Sequence, residues 1–71
     1  MMMPLTMANI GEMLTIRKVG GKQDIKLFLE SLGFTTGAAV MVVSKNQGNL
    51  ITKIKESRVA ISQEMANKIM I

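Results

Sequence analysis

The sequence contains no cysteine, no histidine, no tryptophan and no tyrosine, and only one proline and two phenylalanines in 71 residues. Each gap excludes chemistry. Without cysteine there is no disulfide framework, no thiolate metal site and no nucleophilic thiol. Without histidine no catalytic triad forms, no imidazole can ligate a metal, and no unperturbed side chain titrates near neutral pH. No apolar run approaches the ~20 residues needed to span a bilayer. The opening Met1-Met2-Met3-Pro4-Leu5 lacks both the basic start and the A-x-A site of a secretory signal. The cytoplasm is therefore the expected compartment. Acidic residues are few as well, five against nine Lys and Arg, for a net charge of +4.

What is present is mostly apolar: 48% hydrophobic residues, eight of the side chains being methionine. A chain this short buries only about 60% of the surface its unfolded form exposes, so its stability is marginal. With no disulfide and no soft or imidazole metal ligands, a partner or self-association is expected to add to it. Residues 1–3 read as an N-terminal extension, disordered or artificial, which leaves 4–71 as a single domain.

Glu12 to Val19 alternates, with Leu14 and Ile16 on one face and Thr15 and Arg17 on the other, the pattern of a half-buried strand. The parity breaks before Val19, which predicts a bulge or strand end near Lys18. Gly20-Gly21 then punctuates the chain. From Asp24 to Leu32, Ile25, Phe28, Leu29 and Leu32 fall at helical spacing and predict one buried stripe, with Leu27 off it and exposed. Asp24 is positioned as an N-cap. Gly33 and Phe34 stand where the C′ and C″ residues of a Schellman ending belong, with Leu29 as the apolar partner of Phe34.

Ala38 to Lys45 is apolar on both faces, as in a strand of a small closed barrel. A four-residue loop, Asn46-Gln47-Gly48-Asn49, leads into Leu50–Lys55, with Leu50 and Ile54 inward. Glu56-Ser57 turns the chain into a short strand, Arg58–Ile61. Ser62 is a plausible cap for a final helix with Glu64 in its first turn, Lys68 in its last, and Met65, Ala66 and Ile69 inward. The order is β-α-β-β-β-α: mainly β, a small barrel with one inserted helix and a short C-terminal helix. Met7–Ile10 or Met70-Ile71 could add a fifth strand.

No constellation supports an enzyme. Val19-Gly20-Gly21-Lys22-Gln23 lacks the first glycine and the Ser or Thr of a P-loop, because Ile16 and Gln23 occupy those positions. It reads as a flexible turn. The carboxylates Glu12, Asp24, Glu30, Glu56 and Glu64 are scattered, with no paired spacing for acid-base work or a metal cage. Met13, Met41 and Met65 lie within elements and read as core filling. Two groups of cations stand out. Lys45, Lys53, Lys55 and Arg58 decorate the outer face of the hairpin and last strand, and Arg17, Lys18, Lys22 and Lys26 surround the first turn. Either group could contact phosphates, and the first is the face on which a nucleic-acid-binding or transcription-regulatory module, the alternative function, would rest. Base stacking is poorly served, since Phe28 and Phe34 are both assigned to packing.

Leu29-Glu30-Ser31-Leu32-Gly33-Phe34 followed by Thr35-Thr36-Gly37-Ala38-Ala39-Val40 resembles the L-x-x-L-G-[ILMF]-x-x-G-x-x-[VI] core of the FeoA family. Ser57-Arg58-Val59-Ala60-Ile61-Ser62, with Ala66 and Ile69-Met70-Ile71, is similar to that family's ending. Leu5-Thr6, Gly11-Glu12 and Ile16 fit its start, so the resemblance spans residues 4–71. Thr36, Glu56 and Thr52 depart from the usual Pro, Gly and Val. The resemblance implies an SH3-like β-barrel, with Gly33 and Gly37 as fold-defining turns. It also implies a cytoplasmic accessory of bacterial ferrous iron transport whose partner is a FeoB-type GTPase permease. That partner would hold it at the inner membrane. The same fold forms the C-terminal domain of DtxR-type repressors. Transition-metal binding, including Fe(II), is implied by the family alone; no residue here is assigned as a metal ligand and no cofactor is expected. Gly20, Gly21, Lys22 and Leu27 are the expected partner-binding residues.

Overall fold

The computed structural model describes residues 2–71; residue 1 of the expected N-terminal extension lies outside the described residues. A 3-10 turn, Leu5–Met7, precedes β1 (Met13–Thr15), β2 (Lys18–Val19), α1 (Gln23–Ser31), β3 (Ala39–Asn46), β4 (Asn49–Ile54), β5 (Ser57–Ser62), α2 (Gln63–Ala66) and β6 (Ile69–Met70). Strands β1-β3-β4-β5 form one antiparallel sheet, and β2 pairs with β6 in a second.

The single first strand expected over Glu12–Val19 is two. The Ile16 amide still donates to the Ala38 carbonyl at 2.9 Å, but the Arg17 amide donates to Met70 at 2.7 Å. The chain changes partner between these residues, from β3 to β6, and this exchange breaks the side-chain parity. The fifth strand expected at Met7–Ile10 or Met70-Ile71 comes from the C-terminal side, as Ile69–Met70. Met3 and Ile71 exchange both backbone hydrogen bonds, at 3.0 and 2.8 Å, and Pro4 bridges Met70. Residue 3 is thus tied to the end of the chain.

Helix α1 has Lys22 at its N-cap, with no side-chain cap. Asp24 sits inside the first turn, where its carboxylate accepts from the Ile25 amide at 2.9 Å. Its charge there favours the positive end of the helix dipole. The helix ends as expected. The Phe34 amide donates to Leu29 and the Gly33 amide to Glu30, both at 3.0 Å, the two bonds of a Schellman motif. Gly33 takes φ +106°, a conformation costly for any residue with a Cβ.

The stripe is narrower than its periodicity suggests. Leu29 is fully buried and Ile25 and Leu32 half-buried, whereas Phe28 is 47% exposed. A helix packed against a small barrel offers the core one row of side chains, and Phe28 lies at the edge of that row.

Strands β3, β4 and β5 form the expected meander with tighter turns. Asn46 pairs with Asn49, so only Gln47-Gly48 turn the first hairpin, and Gly48 takes φ +75°. Ile54 pairs with Ser57, which places the second turn at Lys55-Glu56, one residue earlier than expected. Val40, Val42, Leu50, Ile54 and Ile61 fill the interior with Phe34, Leu5 and Ile69. Ser62 caps α2, accepting from the Met65 amide at 3.2 Å. Lys68 lies beyond that helix, which ends at Ala66. Met41 and Met65 are half-buried, but Met13 is 55% exposed and fills no core gap.

Candidate functional site

The turn between β2 and α1 is held from behind. The Gly20 amide donates to the Lys68 carbonyl at 2.7 Å. Gly21 takes φ +92°, and a Cβ there would stand 3.4 Å from the Lys68 side chain and 3.7 Å from Ile25. Two surface grooves open beside this contact. One, of about 390 Å³, is lined by Met2, Lys18, Gly20, Gly21, Asn67, Lys68 and Met70. The other, of about 250 Å³, is lined by Ile25, Ser62, Glu64, Met65 and Lys68. Lys68 borders both.

Of the four residues expected to bind a partner, Gly20 and Gly21 share a groove wall. Lys22 opens α1 beside it, exposed. Leu27 is 54% exposed but lines neither groove, because the face of α1 that reaches the groove is that of Ile25. Phe28, one turn beyond Ile25, is the exposed aromatic nearest to that face along the helix. Sequence reasoning missed Phe28 and Lys68. The helical period put Phe28 in the core, and nothing local marks Lys68, whose place depends on pairing between β2 and β6.

The four cations expected on one outer face do not share it. Lys53 and Arg58 are register partners and point outward beside each other, with Lys55 in the adjoining turn. Lys45 differs. The register of β3 against β4 shifts between Val42 and Ser44, so Lys45 pairs with the inward Leu50. One extra residue in a strand reverses the side-chain alternation beyond it. Lys45 reaches the 3-10 turn instead, donating to the Thr6 carbonyl at 3.0 Å. Gly33 and Gly37, at φ +106° and +91°, frame the link from α1 into β3.

Metal chemistry finds no built site. Among the described residues no three Asp or Glu side chains come together. With cysteine and histidine absent from the sequence, the donor set does not fit a resident transition metal. Also among the described residues, no helix is long and apolar enough to cross a membrane.

Residues 3–71 match the FeoA domain family. The chain is 31% identical over 70 residues to a candidate Fe(2+) transport protein A of Methanocaldococcus jannaschii, covering 99% of this chain and 85% of the relative. Its backbone superposes with a TM-score of 0.87 on the crystal structure of an iron uptake regulatory protein, FeoA, at 27% identity, covering 99% and 93% of the two chains. The FeoA of Stenotrophomonas maltophilia, a prokaryotic SH3 domain protein crystallised with zinc, superposes at 0.82 with 22% identity over 94% and 86%. A manganese-dependent transcriptional repressor shares the fold at 0.90 and 15% identity. There the chain covers only 40% of the longer protein. The architecture is the SH3-like barrel that the sequence motifs imply.

Proposed function

The chain belongs to the FeoA family, and we propose that it is a small, non-enzymatic accessory of ferrous iron uptake. In this reading it works in the cytoplasm and docks on the cytoplasmic part of a FeoB-type GTPase permease. The observation that carries the docking is the pair of large apolar side chains, Leu27 and Phe28, left 54% and 47% exposed on α1. They lie one to two turns from the Gly20–Lys22 turn and its grooves. A marginal 71-residue barrel gains from covering such side chains, and a groove beside an exposed helix suits recognition of a partner segment.

Iron is cargo of the partner in this reading. The nucleic-acid alternative is less well supported, since Lys45 is turned away from Lys53 and Arg58 by the bulge. The test is a calorimetric titration of the permease's cytoplasmic domain into this protein. Saturable binding that weakens in Leu27→Ser and Phe28→Ser supports the reading. No heat above dilution sinks it.

A further inference from the structure

The outer side of the four-stranded sheet combines charge and apolar surface in a way the docking reading does not use. Met13 pairs with Met41, Met41 with Lys53, and Lys53 with Arg58, so these four side chains form one row across β1, β3, β4 and β5. At ~4.8 Å per strand the row spans about 14 Å. Arg17 lies two residues beyond Thr15 and, although its amide bonds to Met70, shares the lining of one surface cavity with Met13 and Thr15; Lys55 follows Ile54 into the turn. Both stand at the end of the sheet where β3 begins, because Thr15 pairs with Ala39 and Ile54 with Val40. All four cations are exposed, Met13 is 55% exposed, and Met41 is half-buried.

No carboxylate belongs to the row. Asp24 and Glu30 are on α1, and Glu64 is on α2. Two carboxylates adjoin the row, Glu12 exposed just before β1 and Glu56 in the turn beside Lys55. The result is a sheet face that runs from methionine on β1 and β3 to the cations Lys53 and Arg58 on β4 and β5, with Arg17 and Lys55 at one end of the strands.

We infer that this face adsorbs to an anionic lipid surface, Met13 entering the headgroup layer while the four cations meet lipid phosphates. Peripheral binding takes two signals, buried apolar area and attraction to anionic headgroups, and this face presents both. Nucleic acid fits less well. Its backbone gives an exposed methionine nothing to bury against, and neither phenylalanine is on this face to stack a base, Phe34 being buried and Phe28 on α1. A fluid headgroup layer also needs no fixed set of opposing carboxylates, so it accepts cations from a strand row and a turn alike. The inference stands apart from the permease reading and does not require it.

The experiment is co-sedimentation of the full chain with vesicles of phosphatidylcholine alone and of an equimolar mixture with phosphatidylglycerol. Binding is expected only to the mixture. Arg17→Gln and Lys53→Gln should each lower the partition coefficient about fivefold. The double variant Lys53→Glu/Arg58→Glu should abolish binding, and Met13→Ser should weaken it without changing its salt dependence. Lys18→Glu/Lys26→Glu removes the same charge elsewhere and should retain most of the binding. All these residues are partly or fully exposed, and circular dichroism verifies that each variant is folded. Equal loss in both double variants, equal binding to neutral vesicles, or no binding to the mixture would each overturn the inference. So would a preference for duplex DNA or polyglutamate that Met13→Ser leaves unchanged.

Discussion

The hydroxyl of Thr52, with no exposure to solvent, donates a 2.8 Å hydrogen bond to the carbonyl of Val59, its register partner on the neighbouring strand. Among the described residues Thr52 is the one buried polar side chain in an otherwise apolar interior. The bond offsets the desolvation of the hydroxyl, which is why a polar residue is tolerated there. Thr52→Val removes the donor without opening a cavity. Its unfolding free energy should stay within about 1 kcal/mol of the parent. Thr52→Ala leaves a methyl-sized void as well and should lose about 1 kcal/mol more. Urea midpoints for the two variants measure the difference.

Gly33 and Gly37 separate backbone strain from crowding. Both have positive φ, but a Cβ on Gly33 would stand 3.4 Å from Ile54 while one on Gly37 meets nothing within 4 Å. Contact at 3.4 Å is ordinary, so the cost of Gly33→Ala comes mainly from conformation. Each alanine should cost about 1–2 kcal/mol. That corresponds to a fall in melting temperature of about 4–8 °C per kcal/mol for a domain of this size. A Gly33→Ala loss several times larger than that of Gly37→Ala would show that the Schellman ending carries more of the fold than its geometry indicates.

Ser62 joins β5 to α2 and caps the helix through the Met65 amide. Ser62→Ala should cost about 0.5–2 kcal/mol, and Ser62→Asp should recover most of it, because aspartate accepts the same bond. Thermal melts of the three proteins check the order.

Leu27 and Leu29 are two residues apart on α1 with opposite fates, 54% exposed and fully buried. Leu27→Ser should change stability by less than about 0.5 kcal/mol and weaken binding to the permease domain about tenfold, or 1.4 kcal/mol. Leu29→Ala should cost about 2–5 kcal/mol and affect binding only through the fraction folded. Combined urea unfolding and titration separate the two effects.

Among the described residues no three Asp or Glu side chains come together, so chelation should leave the melting temperature unchanged. Scanning calorimetry with and without EDTA checks this. A fall on chelation would reveal a bound ion that stabilises the native state.

Much of the fold is legible along the chain because its signals are local. Leu29, Gly33 and Phe34 specify the end of α1 within six residues, and the Schellman bonds form where that spacing puts them. Ser62 caps α2 from its own neighbourhood. The three-strand meander follows from period-two patterning and turn residues, though Gly48 tightens its first loop beyond expectation. The candidate site is less legible. Gly20 and Gly21 stand out as a turn, but the groove they border exists only because β2 pairs with β6 and brings Lys68 across from the other end of the chain.

By itself, then, the sequence determined which side-chain chemistries are missing and the local signals that end α1 and cap α2. The absence of cysteine and histidine removes whole classes of chemistry, and caps and periodicity act over a few residues. Only the tertiary structure decided which side chains the small barrel could not cover. Phe28 has the period of a core residue and is exposed, and Met13 lies exposed on the outward side of β1, because one helix row and one sheet face exhaust the interior. Lys45 parts from Lys53 and Arg58 because a shift in the pairing of β3 with β4 reverses the faces beyond it. The pairing of β2 with β6 joins residues about fifty positions apart, and even the bulge in the β3–β4 hairpin shows only in the register of the paired strands.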